Sequence, residues 1–175
     1  VGILTIAKNS LLGLFNGKFK TYTYTKDIFT LSNKWDERYL ALAKQISQWS
    51  KDPSTKIGAI AVGEKGQVLA QGFNGFPRGI DDSDDRYYNK ETKYKYVVHA
   101  EMNVIFNATY SGVSLDGATL YITGLPACSD CAKGIIQVGI KRVVMEKTEL
   151  PEHWQDSCKF TEKLFQESGV EYEFI

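Results

Sequence analysis

The chain has 175 residues and no excess of either charge, with 21 Lys and Arg against 21 Asp and Glu. Proteins that hold nucleic-acid polymers do so largely by neutralising phosphates. The missing basic surplus therefore argues against a polymer partner, leaving only a local basic patch to supply one. Histidine is scarce, at two residues, and there are three cysteines, Cys128, Cys131 and Cys158. An odd cysteine count with one close pair does not look like a secreted disulfide framework and points to a reducing compartment. No apolar run is long enough to span a bilayer. The stretch "VGILTIAKNSLLGLF" is broken by Lys8, Asn9 and Ser10, and neither the basic residues nor the small-residue cleavage site expected of a signal peptide is clear in it. Repeats and low-complexity segments are absent. What remains is an ordinary globular composition, 43% hydrophobic and 24% charged, with enough residues for one domain and a substantial core.

Residues 1–33 read as an extension to the main domain, with "KTYTYTKD" as a candidate edge strand; the domain proper covers 34–175. Trp35, Tyr39, Leu42, Ile46 and Trp49 fall at helical steps and predict one helical face, ended by Pro53. "KIGAIAV" (56–62) and "VLAQGF" (68–73), joined by "EKGQ", predict a hairpin. Residues 75–96 read as a long loop, which in a small domain is often functional. A helix follows at about 98–110, with Val98, Met102, Ile105 and Phe106 as its apolar stripe. Next come a strand (117–123), a helix (129–139), a strand (141–146), a helix marked by Trp154, Cys158, Thr161 and Phe165, and a last strand (170–175). Strands alternating with helices imply an α/β fold with a partly parallel sheet covered on both faces. The hairpin adds an antiparallel edge.

Within "VVHAEMNVIFNA" (97–108) the helix begins with a histidine and a carboxylate, His99 and Glu101, ahead of apolar residues. Downstream, "CSDC" sets Cys128 and Cys131 at Cys-x-x-Cys spacing at a helix start, where the dipole and free N–H groups favour thiolates. Alone, the pair could be half of a structural zinc site, a redox pair or two unrelated cysteines. One His and two Cys together form a soft donor set suited to zinc. His153 and Cys158 are the remaining candidates for a fourth ligand, reading otherwise as a surface loop residue and a buried apolar one. Without them the metal keeps an open position, as catalytic zinc sites do. Glu101, two residues from a ligand, is then placed to handle the protons of a metal-activated water.

"HAE" with a downstream Pro and Cys-x-x-Cys resembles the zinc-dependent nucleobase deaminases. The blocks "SKDPSTKIGAIAV", "GFNGFPRGIDD", "VVHAEMNVIFNA" and "LYITGLPACSDCAKGIIQVGIKRVV" are together similar to the deoxycytidylate (dCMP) deaminase branch over residues 35–172. One departure is Ala127 between Pro126 and Cys128, where the family has Pro directly before Cys; the loop is expected to bulge there. The resemblance implies a three-layer α/β/α sandwich around a mixed sheet of about five strands, the cytidine deaminase-like fold. It implies zinc on His99, Cys128 and Cys131, with Glu101 as proton shuttle in the hydrolysis of dCMP to dUMP and ammonia, which supplies thymidylate precursor. It places nucleotide contacts at Asn74, the Ala100 backbone and Tyr121, with Tyr121 equally readable as a core aromatic. Phosphate contacts fall at Lys51, Ser54, Thr55 and Lys56, with Arg78 and Arg86 as weaker candidates. It further implies a homo-oligomer, a hexamer, activated by dCTP and inhibited by dTTP, with Mg2+ accompanying the triphosphate. Competing readings are a deaminase of another base or nucleoside, a non-catalytic zinc-bound nucleotide sensor, and a purely structural zinc module.

Overall fold

In this computed structural model the backbone is described for residues 6–7, 10–15, 18–23 and 29–175, and side chains from residue 34 onward. The chain divides into two units, Val1–Trp35 and Asp36–Ile175. In the first, β1 (Ile6–Ala7), β2 (Ser10–Phe15) and β3 (Lys18–Thr23) form an antiparallel sheet in that order. Of the candidate edge strand "KTYTYTKD", residues 20–23 lie in β3, at the edge of this sheet, and the rest lie outside the described residues. Helix α1 (Phe29–Ser47) starts well ahead of Trp35.

The second unit holds a five-stranded sheet in the order β5-β4-β6-β7-β8. Strands β4 (Gly58–Val62) and β5 (Val68–Phe73) form the expected hairpin. Strand β6 (Thr119–Thr123) pairs antiparallel with β4 and parallel with β7 (Arg142–Met145), which pairs parallel with β8 (Glu171–Phe174). Two helices make the parallel crossovers: α5 (Ser129–Gln137) between β6 and β7, and α6 (Glu152–Ser168) between β7 and β8. Parallel neighbours need such connections. One sheet face packs Leu120, Ile122 and Val143 against Val104 and Ile105 of α4 (Ala100–Tyr110) and against Ile135 of α5. The other packs Ile60, Tyr121 and Val144 against Leu40, Ala43 and Ile46 of α1. The result is the three-layer mixed-sheet architecture that the sequence implied. Among the described residues no helix is long and apolar enough to cross a membrane.

Three local expectations shift. The predicted face of α1 holds only in part: Ile46 is buried and Tyr39 packs against the same cluster, but Trp35, Leu42 and Trp49 are exposed, and Asp36, Leu40, Ala43 and Ser47 fill the buried side. The reason is close approach. A side chain at Gly58 would collide with the Ala43 carbonyl and the Ser47 amide, so small residues must face the strand. On α4 the buried residues are Ala100, Glu101, Val104, Ile105 and Ala108, while Phe106 is exposed. The stretch 75–96 is not a bare loop: it carries α2 (Asp84–Tyr88) and α3 (Lys90–Tyr96), the latter capped by Asn89, whose side chain accepts from the Thr92 amide.

Helix α4 also lies tightly on β5. Asn103 and Asn107, one turn apart, donate to the Phe73 and Gln71 carbonyls at 2.7 Å each, so side chains satisfy acceptors on an edge strand. Between them, a Cβ on Gly72 would lie 2.5 Å from the Ala100 carbonyl oxygen and 2.6 Å from the Val104 nitrogen. Both are backbone atoms and cannot rotate away. Gly72→Ala is therefore expected to destabilise the fold by about 1–3 kcal/mol, the usual range for overpacking, measured by urea denaturation. A change within experimental error would mean that α4 is free to slide on the strand.

Candidate active site

Two helix starts converge. Val98 forms an isolated antiparallel bridge with Gly75, with hydrogen bonds in both directions. This fixes the chain just before His99, the N-cap of α4. Cys128 is the N-cap of α5, and its sulfur accepts from the Cys131 amide at 3.4 Å. Both thiols and the imidazole therefore sit at helix N-termini, where unpaired N–H groups and the dipole favour negative sulfur. The Cys128 and Cys131 sulfurs each lie 3.4 Å from His99 Nδ1. The three donor atoms all fall within 4.8 Å of one another.

The protonation of this cluster suits a cation. The hydrogen bond from Cys131 holds the Cys128 thiol down to about 4, helped by His99 and opposed by burial. The same bond, with burial, pushes Cys131 up. His99 is raised, chiefly by its contact with the Cys128 sulfur. The group thus shares protons that a divalent ion would displace on binding. Two sulfurs and a nitrogen are the donor chemistry of zinc, so the residues fit the metal. Among the described residues the converging group comprises these three alone. Neither Cys158, buried on α6, nor His153 joins it.

Glu101 sits in the first turn of α4, 3% exposed. Burial is the leading cause that raises its pKa, with the His99 charge opposing. A carboxyl kept in that state can both hold and release a proton. Beside it opens a cavity of about 360 Å³. His99, Ala100 and Glu101 line it together with Leu125, Pro126 and Trp154. The Trp154 ring lies 6.2 Å from that of His99.

A second part of the lining is a hydrogen-bonded hub on Asp52, itself buried. One carboxylate oxygen accepts from the Ser54 and Thr55 amides at 2.8 and 3.2 Å. Lys93 of α3 donates to the same carboxylate at 3.0 Å. Asn74 closes the hub: its amide donates to the Thr55 carbonyl at 2.9 Å, and its oxygen accepts from the Ile57 amide at 2.8 Å.

Of the residues anticipated for nucleotide contact, Ser54, Thr55, Asn74 and Ala100 line the cavity. Lys51 and Lys56 do not: both are exposed, and Lys51 pairs with Asp82 at 2.9 Å. Tyr121 does not line the cavity either, and of its two readings the core aromatic is the one that its surroundings match. Strand alternation turns it to the α1 face, where its hydroxyl donates to Asp36 at 2.7 Å and burial raises its pKa. Asp36 is in turn held by both terminal nitrogens of Arg142, at 2.9 and 2.7 Å. Arg78 bonds Asn107 and Arg86 bonds the Asp81 carbonyl, both away from this cavity.

Comparison with known proteins gives this arrangement its family. Residues 33–147 match the cytidine and deoxycytidylate deaminase zinc-binding region. The chain belongs to the cytidine and deoxycytidylate deaminase family. An uncharacterized deaminase from the luxG 3′ region of Aliivibrio fischeri is 35% identical over 145 residues, covering 82% of this chain and 95% of that protein. Human deoxycytidylate deaminase is 36% identical over 144 residues, covering 79% and 78%. The crystal structure of dCMP deaminase from cyanophage S-TIM5 in complex with dCMP and dUMP superposes with a TM-score of 0.65 at 31% identity, covering 81% of this chain and 97% of that one.

The cavity is also lined by residues that the sequence alone did not single out. Asp52 had a legible signal: Asp-Pro-Ser-Thr is a side-chain-capped turn. Lys93 had none, because a lysine among "KETKYKY" reads as solvated. Trp154 reads as part of the apolar stripe of α6, although it also lines the cavity.

Proposed function

We propose that this chain hydrolyses dCMP to dUMP and ammonia. The carrying observation is the buried Glu101 beside the His99–Cys128–Cys131 cluster, at the wall of a cavity of about 360 Å³. The relatives named deoxycytidylate deaminase and the cyanophage enzyme that binds dCMP and dUMP support the choice of substrate. When bound, zinc supplies the Lewis acidity that activates a water for attack at C4 of cytosine. Glu101 would accept the proton of the attacking water, place one on N3 and hand one to the departing amine. Its burial keeps the proton from exchanging with bulk solvent between these events. The Ala100 backbone, at the start of α4, meets the base, and Asn74 fixes the adjoining turn. Of the four anticipated phosphate contacts, Ser54 and Thr55 are the two that line the cavity, and they carry the reading for the 5′-phosphate.

The same reading extends to regulation and context. The enzyme is a homo-oligomer, a hexamer, with dCTP as activator and dTTP as inhibitor, Mg2+ accompanying the triphosphate. It works in the cytoplasm, supplying the precursor of thymidylate, and binds no nucleic-acid polymer. Side-by-side assays on dCMP, cytidine, deoxycytidine and a short oligonucleotide, with and without dCTP and with zinc analysis of the same sample, test it. The expected result is one zinc per chain and a clear preference for dCMP. Preference for a substrate lacking the 5′-phosphate overturns the choice of substrate, and a zinc-free active protein overturns the chemistry.

A further inference from the structure

Helix α6 lies beyond the residues that match the family region, yet it grips the loop that presents both cysteines. Trp154, Ser157 and Thr161 stand at i, i+3 and i+7, one face of the helix. Each bonds the segment flanking Cys128. The Thr161 hydroxyl donates to the Ala127 carbonyl at 3.0 Å. The Ser157 hydroxyl accepts from the Ser129 amide at 3.0 Å. Trp154 Nε1 donates to the Pro126 carbonyl at a longer 3.4 Å. Thr161 and Ala127 are fully buried, so water cannot replace that bond.

These partners matter because of where they fall. The Ser129 amide is one of the unpaired donors at the start of α5. An N-cap side chain commonly reaches the amides of N2 and N3, not N1, and the Cys128 sulfur is already bonded to the Cys131 amide. Ser157 satisfies the donor that the cap leaves over. The Ala127 and Pro126 carbonyls precede Cys128, so their anchoring sets the angle at which its sulfur meets His99.

We propose that Ser157 and Thr161 of helix α6 are positioning residues for the metal site, holding the 126–129 backbone so that Cys128 and Cys131 converge with His99. This rests on those three residues holding zinc. Groups that orient metal ligands from outside typically contribute about 10–100-fold in metal affinity or activity. Thr161→Val keeps the shape and removes the donor; Ser157→Ala removes the acceptor at a half-buried site; Thr161→Ser keeps the donor and serves as rescue.

The test is competition for zinc against a chromophoric chelator, with the visible spectrum of the cobalt-substituted protein and the split of kcat from KM on dCMP. Thr161→Val and Ser157→Ala are each expected to lose about 10-fold in zinc affinity, shift the cobalt spectrum and lower kcat with KM unchanged, whereas Thr161→Ser matches wild type. Folded Thr161→Val or Ser157→Ala with wild-type zinc affinity and cobalt spectrum overturns the proposal alone. Should Thr161→Val not fold, Ser157→Ala decides by itself. A wild-type protein that binds no zinc overturns the metal reading and this proposal with it.

Discussion

Glu101→Gln is expected to lower kcat/KM for dCMP by about 10²–10⁴-fold, the range that a positioned acid–base group supplies. That corresponds to about 3–5 kcal/mol of transition-state stabilisation. The variant keeps shape and polarity but cannot accept or pass on a proton. Because Glu101 is 3% exposed and its charge is disfavoured there by burial, a neutral amide costs the fold little, and thermal stability should hold or rise slightly. Zinc content should be unchanged, since the donor atoms of His99, Cys128 and Cys131 form a set of their own. Steady-state ammonia release, metal analysis and a melting curve on one preparation check all three. An unaltered rate would leave the zinc-bound nucleotide sensor standing. A lost zinc would show that Glu101 supports the ligands and not the chemistry.

The chemical part of this site was readable because it is local. His99 and Glu101 are two residues apart on one helix start, and Cys128 and Cys131 are three apart on another, so each pair is set by helix geometry alone. The strand and helix order was readable for the same reason, through period-2 and period-3.6 patterns. What failed was anything fixed by which face meets which neighbour. The aromatic stripe of α1 has correct helical spacing, but Gly58 demands small residues opposite it, so Ala43 and Ser47 take the inside and Trp35 and Trp49 the outside. Tyr121 fits a pocket wall or a core with equal ease until strand parity assigns it to the Asp36 side. Lys93 illustrates the hardest case: its partner Asp52 is 41 residues away, and no local pattern distinguishes a buried lysine from a solvated one.

That buried lysine carries the largest expected stability effect. Lys93 and Asp52 form an ion pair at 3.0 Å with side chains 9% and 4% exposed. Removing one member of a buried pair leaves the other charged without compensation, at a cost of about 3–5 kcal/mol. Both residues line the cavity, where solvent can reach part of the pair. Lys93→Met should therefore fall at the lower end, about 3 kcal/mol by urea denaturation. Asp52→Asn in the same chain removes the stranded carboxylate while keeping an oxygen for the Ser54 and Thr55 amides. The double variant should accordingly be more stable than Lys93→Met alone, which additive effects would not allow. The functional consequence follows from the same bonds. Asp52 ties α3 to the 52–55 turn and to Asn74, so loosening it frees the turn that carries Ser54 and Thr55. In Lys93→Met, KM for dCMP should rise while KM for deoxycytidine, which has no phosphate to place, stays near its wild-type value. A stability loss below about 1 kcal/mol would class the pair with solvent-screened surface bridges. An equal rise in both KM values would remove the 52–55 turn from phosphate recognition.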